Sequence, residues 1–117
     1  VHFAISATSG PTDPTRASLP FIFAASALQA GDSVTLMLFH DAIHVATKGT
    51  AQKLVPFGPP QRFEEVLGHA NAKVLACKPC ADVRHIGEGD LDPRVRMAGM
   101  NDFHAAAARE DAKVVSF

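Results

Sequence analysis

Five short segments rich in β-branched and large apolar residues recur along the chain, and helical patterns separate them. They are Val1–Ala7 (VHFAISA), Val34–Phe39 (VTLMLF), Lys73–Cys77 (KVLAC), Val95–Met100 (VRMAGM) and Lys113–Phe117 (KVVSF). Each reads as a strand. VTLMLF is apolar nearly throughout, as a strand covered by helices on both faces must be. Regular alternation of strand and helix leaves few folds open, because a parallel neighbour needs a long crossover and a helix supplies one. The expected class is therefore α/β, with a mostly parallel five-stranded sheet and helices on both faces. At 117 residues the chain reads as one domain, large enough to bury a core without a disulfide.

The helical intervals carry their own boundaries. Asp13 offers an N-cap and Pro14 a first helical position, and the pattern runs to about Ala30 with Gly31 as its stop. Pro20 lies inside it and is expected to kink it, since the ring removes a backbone donor. Ala42–Lys48 reads as a short helix closed by Gly49. Pro60–Ala70 reads as another, with Phe63, Val66 and Leu67 on one face, and Asp102–Arg109 as the last. Val55–Pro60 (VPFGPP) reads as a rigid loop or subunit contact that exposes Phe57, and Gly87–Pro93 as a polar connection.

Composition excludes several partners. A formal charge of −1 and a pI near 6.6 favour neither nucleic acid nor an anionic membrane. Eight phenylalanines without Trp or Tyr make a poor base-stacking surface. The longest apolar run, Leu19–Leu28, is too short to cross a bilayer and contains Pro20. No signal-peptide pattern opens the sequence, so a cytoplasmic protein is expected.

In such sheets the loops leaving the carboxyl ends of the strands form the functional rim. Thr8, Ser9 and Gly10 follow the first predicted strand, His40 and Asp41 the second, and Cys77-Lys78-Pro79-Cys80 the third. Both cysteines fall in that last stretch. A thiol reacts as its thiolate, so a reactive cysteine needs surroundings that welcome negative charge. Pro79 suits the first turn of a helix, whose N-terminus would face Cys77, and Lys78 adds a positive charge. Cys77 then reads as a nucleophile, with Cys80 about one turn away as a second thiol able to form a disulfide. Two other readings stay open: two buried cysteines acting as small hydrophobes, or a zinc site shared with His40 and His44. Without a second C-x-x-C, no metal is expected. TSGPTD (Thr8–Asp13) lacks both the Walker pattern and G-x-G-x-x-G, so no nucleotide cofactor is expected either.

The order of TSGPTDPTRASLPF (Thr8–Phe21), FHDAIHVATKG (Phe39–Gly49), CKPCADVRHI (Cys77–Ile86) and the terminal KVVSF resembles the DsrE/DsrF-like family, small α/β proteins related to TusD-like sulfur-relay subunits. The resemblance implies a three-layer α/β/α fold and a homo-oligomer, whether dimer, trimer or hexamer. It also implies a cysteine after the third strand that carries sulfur as a persulfide, a place that Cys77 holds by its distance to Arg84. Ser9, Gly10, His40, Asp41 and Arg84 would line the site, and the partners would be sulfur-donor and sulfur-acceptor proteins. Two departures stand out. His85 follows the arginine where many members keep glycine, and Cys80 is an added thiol relative to single-cysteine carriers, although some members have both. The expected function is a persulfide carrier or sulfurtransferase with Cys80 as resolving thiol. The alternatives are a thiol-disulfide redox protein and a non-catalytic oligomeric or regulatory module of sulfur metabolism.

Overall fold

The computed structural model describes residues 1–54 and 61–117. The expected loop Val55–Pro60, and Pro60 as the start of a helix, lie outside the described residues. Five strands, β1 (His2–Ala7), β2 (Ser33–Leu38), β3 (Ala72–Cys77), β4 (Val95–Ala98) and β5 (Ala112–Ser116), form one sheet in the order β4-β3-β2-β1-β5. Every pairing is parallel, so the expected mostly parallel sheet is parallel throughout. Four α-helices are described: α1 (Pro14–Gln29), α2 (Gln61–Leu67), α3 (Lys78–Val83) and α4 (Met100–Ala107). The chain steps from β1 outward to β4 and then returns across the sheet to place β5 on the far side of β1.

Alternation along the strands sorts side chains onto two faces. Ile5, Ala7, Val34, Leu36, Leu38, Val74 and Ala76 point to one, where they meet Phe21, Ala24 and Leu28 of α1 and Phe63 and Val66 of α2. The Phe21 and Phe63 rings lie 4.6 Å apart at the centre of that core. The second face carries Met37, Leu75 and Cys77, packed against Phe39, Cys80, Ala98 and Phe103. Phe103 belongs to α4 and meets Phe39 edge to face at 5.6 Å. Helices thus cover both faces, as the near-continuous hydrophobicity of VTLMLF requires.

Local chemistry explains most boundaries. The Asp13 carboxylate accepts the Arg16 N–H at 3.2 Å, Pro14 begins α1, and Gly31 turns the chain away at φ +93°. Helix α1 continues through the buried Pro20. After β2 the expected α-helix is instead a 3₁₀ segment, His40–Ala46. Its tighter winding stacks Ala42 on Val45 and Ile43 on Ala46, and all four are buried. The fourth strand is shorter than expected and α4 starts earlier, at Met100 rather than Asp102. Asp102 acts from the first turn, its carboxylate accepting the Gly99 N–H at 2.9 Å. Among the described residues no helix is long and apolar enough to cross a membrane.

His2, which forms no sequence pattern, is buried under the sheet's second face. Its Nδ1 lies 2.7 Å from the Ser33 hydroxyl and its Nε2 2.9 Å from that of Thr35. Burial pushes its pKa below the ordinary 6.5, and Arg109 adds to the effect against a smaller opposing pull from Asp111. The unfolded chain therefore binds this proton more readily than the folded one, and stability falls as pH drops below about 6.5. Urea unfolding between pH 7 and pH 5 is expected to show that loss, and His2→Gln to flatten it.

Candidate thiol site at the carboxyl edge of the sheet

Because β1, β2 and β3 are parallel neighbours, the loops after them emerge side by side. The β2 exit sets the geometry. Phe39 remains extended, its N–H donating to the Ala7 carbonyl at 2.8 Å, and His40 then enters the left-handed region at φ +53°. Few non-glycine residues adopt that conformation. The turn directs the His40 N–H onto the Cys80 sulfur at 3.2 Å. The imidazole leans toward its neighbour, with Nδ1 3.5 Å from the Asp41 carboxylate.

Arg84 fastens the same region. Its Nε and Nη2 donate to one Asp41 oxygen at 3.1 and 2.9 Å, and its Nη1 donates to the Cys80 carbonyl at 3.1 Å. The guanidinium beside Asp41 holds that carboxyl below the usual range. Gly10 completes the arrangement by lying flat against Asp41. A Cβ at position 10 would fall 2.3 Å from the Asp41 carbonyl oxygen, inside any allowed contact. Ser9 and Gly10, with Thr8, Arg16, His40 and Asp41, border an open cleft of about 430 Å³ that neither cysteine lines.

The two thiols are free and differ in surroundings. Cys77 ends β3 with only 7% of its surface exposed, among Met37, Leu75, Phe39 and Phe103. Burial pushes its thiol up, and the adjacent Cys80 thiol pushes the same way, against weaker pulls from the Cys80 amide and Arg84. Helix α3 is only six residues long, and the Cys80 amide in its first turn is one of the groups that oppose the rise at Cys77. Lys78, expected to stabilise a Cys77 anion, turns to the exposed side of α3, where its ammonium meets the Asp82 carboxylate at 3.0 Å. The i,i+4 spacing makes that pairing the nearer option. Cys80 is half-buried and receives the His40 N–H. The expected site residues Gly10, His40, Asp41, Cys77, Cys80 and Arg84 thus converge, Ser9 lies on the adjoining cleft, and Lys78 faces away. Among the described residues no three His, Cys, Asp or Glu side chains group as a metal-binding set.

The sequence profile of the DsrE/DsrF-like family matches residues 2–117. The chain belongs to this family. It is 31% identical to the uncharacterized protein MJ0989 of Methanocaldococcus jannaschii over the full length of both chains. It is also 31% identical to the uncharacterized protein MK0008 of Methanopyrus kandleri, over 81% of this chain and 77% of that one. Among solved structures, the YchN protein from E. coli superposes with a TM-score of 0.80 at 23% identity, covering 99% of this chain and 97% of the other. MTH1491 from Methanobacterium thermoautotrophicum, a protein of unknown function, gives 0.70 at 13% identity, covering 99% and 96%. Both share the fold.

His85 sits at φ +57°, two residues past the end of α3. There its N–H donates to the Asp82 carbonyl at 3.1 Å and the Ile86 N–H to that of Ala81 at 2.9 Å. This is the Schellman closure, whose left-handed residue is usually glycine. His85 thus occupies a backbone conformation that favours glycine. His85→Gly is expected to raise stability by about 1 kcal/mol in urea unfolding. Gly10→Ala is expected to cost about 1–3 kcal/mol, because its obstacle is backbone rather than a yielding side chain.

Proposed function

We propose that this protein is a thiol-based sulfur carrier of the DsrE-like type, with the Cys77–Cys80 pair as its working unit. The observation that supports this most directly is the Cys80 sulfur at the carboxyl rim, beside Cys77, with the His40 N–H directed onto it. An N–H so aimed is the kind of donor a thiolate or persulfide anion accepts. Arg84, bridging Asp41 and the Cys80 carbonyl, brings positive charge to the same spot.

In this reading a thiolate of the pair attacks the outer sulfur of a donor protein's persulfide. A new S–S bond forms on the carrier, the donor's S–S bond breaks, and the donor leaves as a thiolate. Cys80, the more open thiol, meets the donor first. Cys77, in the position that carries sulfur in related carriers, then attacks the outer sulfur of the Cys80 persulfide. Sulfur moves to Cys77 and Cys80 leaves as a thiolate, so no electrons are gained or lost overall. The apolar cluster of Met37, Leu75 and Phe103 shields the stored sulfur from solvent. An acceptor protein's thiolate finally takes it. Attack on the inner sulfur of a persulfide instead releases sulfide and leaves a Cys77–Cys80 disulfide, which is the redox alternative. Donor and acceptor are proteins in a reducing, cytoplasmic setting, and the carrier is a homo-oligomer. Met100, exposed beyond the end of β4, gives that edge an apolar contact for them.

Mass spectrometry after incubation with a persulfide donor tests the proposal. The wild type is expected to gain one sulfur. Cys80→Ser is expected to load about tenfold more slowly. Cys77→Ser is expected to load normally but to lose its sulfur faster to added thiol. A wild-type protein that takes up no sulfur refutes the carrier role, and efficient disulfide reduction with a defined potential would replace it with the redox reading.

A further inference from the structure

The face of the sheet that carries α4 is incompletely roofed. α4 packs on β1, β2 and β5, leaving the outer sides of β3 and β4 beside it. Between helix and strands lies a groove of about 250 Å³, whose lining includes His2, Thr35, Lys73, Leu75, Arg96 and Arg109. A second hollow of about 200 Å³ shares His2, Thr35, Lys73 and Arg109 with it and adds Ser33 and Asn71. Among the described lining residues Asp102 alone is acidic, and its carboxylate is engaged by the Gly99 N–H.

Two of the cations share one side of the sheet. Arg96 of β4 stands in register with Leu75 of β3, and Lys73 lies two residues before Leu75. Both side chains therefore project from one face on neighbouring strands. Among the described residues neither Lys73 nor Arg96 has an ion-pair partner within 4.0 Å. Arg109 closes the other wall, steadied by two bonds to Asp111. Three positive groups thus gather in one groove of a chain whose net charge is −1.

The floor is polar and fixed. His2 is buried with both ring nitrogens tied to hydroxyls, and desolvation, Arg109 and Lys73 disfavour its charged form against an opposing pull from Asp111.

We infer that this groove binds a compact polyanion bearing phosphate or carboxylate groups, held by Lys73, Arg96 and Arg109 above the His2–Thr35 floor. Guanidinium forks and an ammonium point charge are the groups that recognise such oxyanions. The volume is below the usual range of about 300–1,000 Å³ for ligand pockets, which favours a small molecule over a strand of nucleic acid or a long peptide. The site is separate from the thiols: Cys77 lies about 13 Å along β3 from Lys73. Leu75, however, belongs both to the groove lining and to the cluster around Cys77, so an occupant would rest on the same layer that shields the buried sulfur.

Pyrophosphate and citrate serve as probes, titrated calorimetrically into the intact protein at low ionic strength while the His2 ring is followed by NMR. At least one probe is expected to bind saturably at a single site, and occupancy is expected to move the His2 titration to higher pH. Lys73→Ala/Arg96→Ala is expected to weaken binding about tenfold or more, whereas Lys113→Ala, at an exposed cation outside the groove, leaves it unchanged. Arg96→Gln alone serves the same purpose should the double variant not fold. The tighter probe tells whether phosphate or carboxylate is the group recognised. Failure of both probes overturns the inference, as does equal binding by the groove variants. A change in solution mass rather than in binding also overturns it, by making this face a contact between copies of the chain.

Discussion

Arg84 holds the rim of the sheet in one conformation. A single guanidinium ties the carbonyl of Cys80, on α3, to the carboxylate of Asp41, on the segment that follows β2. Gly10, from the loop after β1, packs against the backbone of the same aspartate. Three connections that are far apart in sequence are thereby fixed within a few ångströms. The left-handed turn at His40 follows from this, since Asp41 is held on one side and Phe39 is paired to β1 on the other. Its N–H points at Cys80 because the chain has nowhere else to direct it.

Within that frame the two thiols have divided environments. Cys77 belongs to an apolar cluster and its thiol is pushed up by burial, whereas Cys80 stands half open at the rim. A relay needs an accessible nucleophile and a protected store, and one turn of helix separates the two. The expected contribution of Lys78 to a Cys77 anion meets a competitor on its own helix. Helix α3 is short, and the Lys78 charge is spent on Asp82. The His40 N–H meets the Cys80 sulfur, while Arg84 and the Cys80 amide oppose the rise at Cys77.

Much of the architecture was legible because it rests on periodicity. Alternating apolar segments dictated a parallel sheet, and Asp13-Pro14 with Gly31 marked α1 to within a residue. Gly10, His40, Asp41 and Cys77 fall at or just past the ends of strands, whereas Arg84 follows α3 and reaches the rim only through the fold. What stayed hidden depended on tertiary partners. Nothing local distinguishes a 3₁₀ segment at His40–Ala46 from an α-helix; burial of four small or branched residues on both sides decides it. The early start of α4 was signalled faintly, by an aspartate three residues after Gly99 able to reach back to it. The pairing of Lys78 with Asp82 was hidden because it depends on both residues sharing one face of α3. His2 had no visible role until β2 brought Ser33 and Thr35 beneath it.

The strand order has a consequence for synthesis. β1 precedes the other four strands in the chain and becomes an interior strand, yet its second neighbour pairs residue 2 with residue 112. Until nearly the whole domain has emerged, one side of β1 presents unsatisfied amides and carbonyls, an invitation to pair with another chain. The nascent protein must therefore guard that open flank by speed or by a chaperone, and the final return of β5 is the step that seals it.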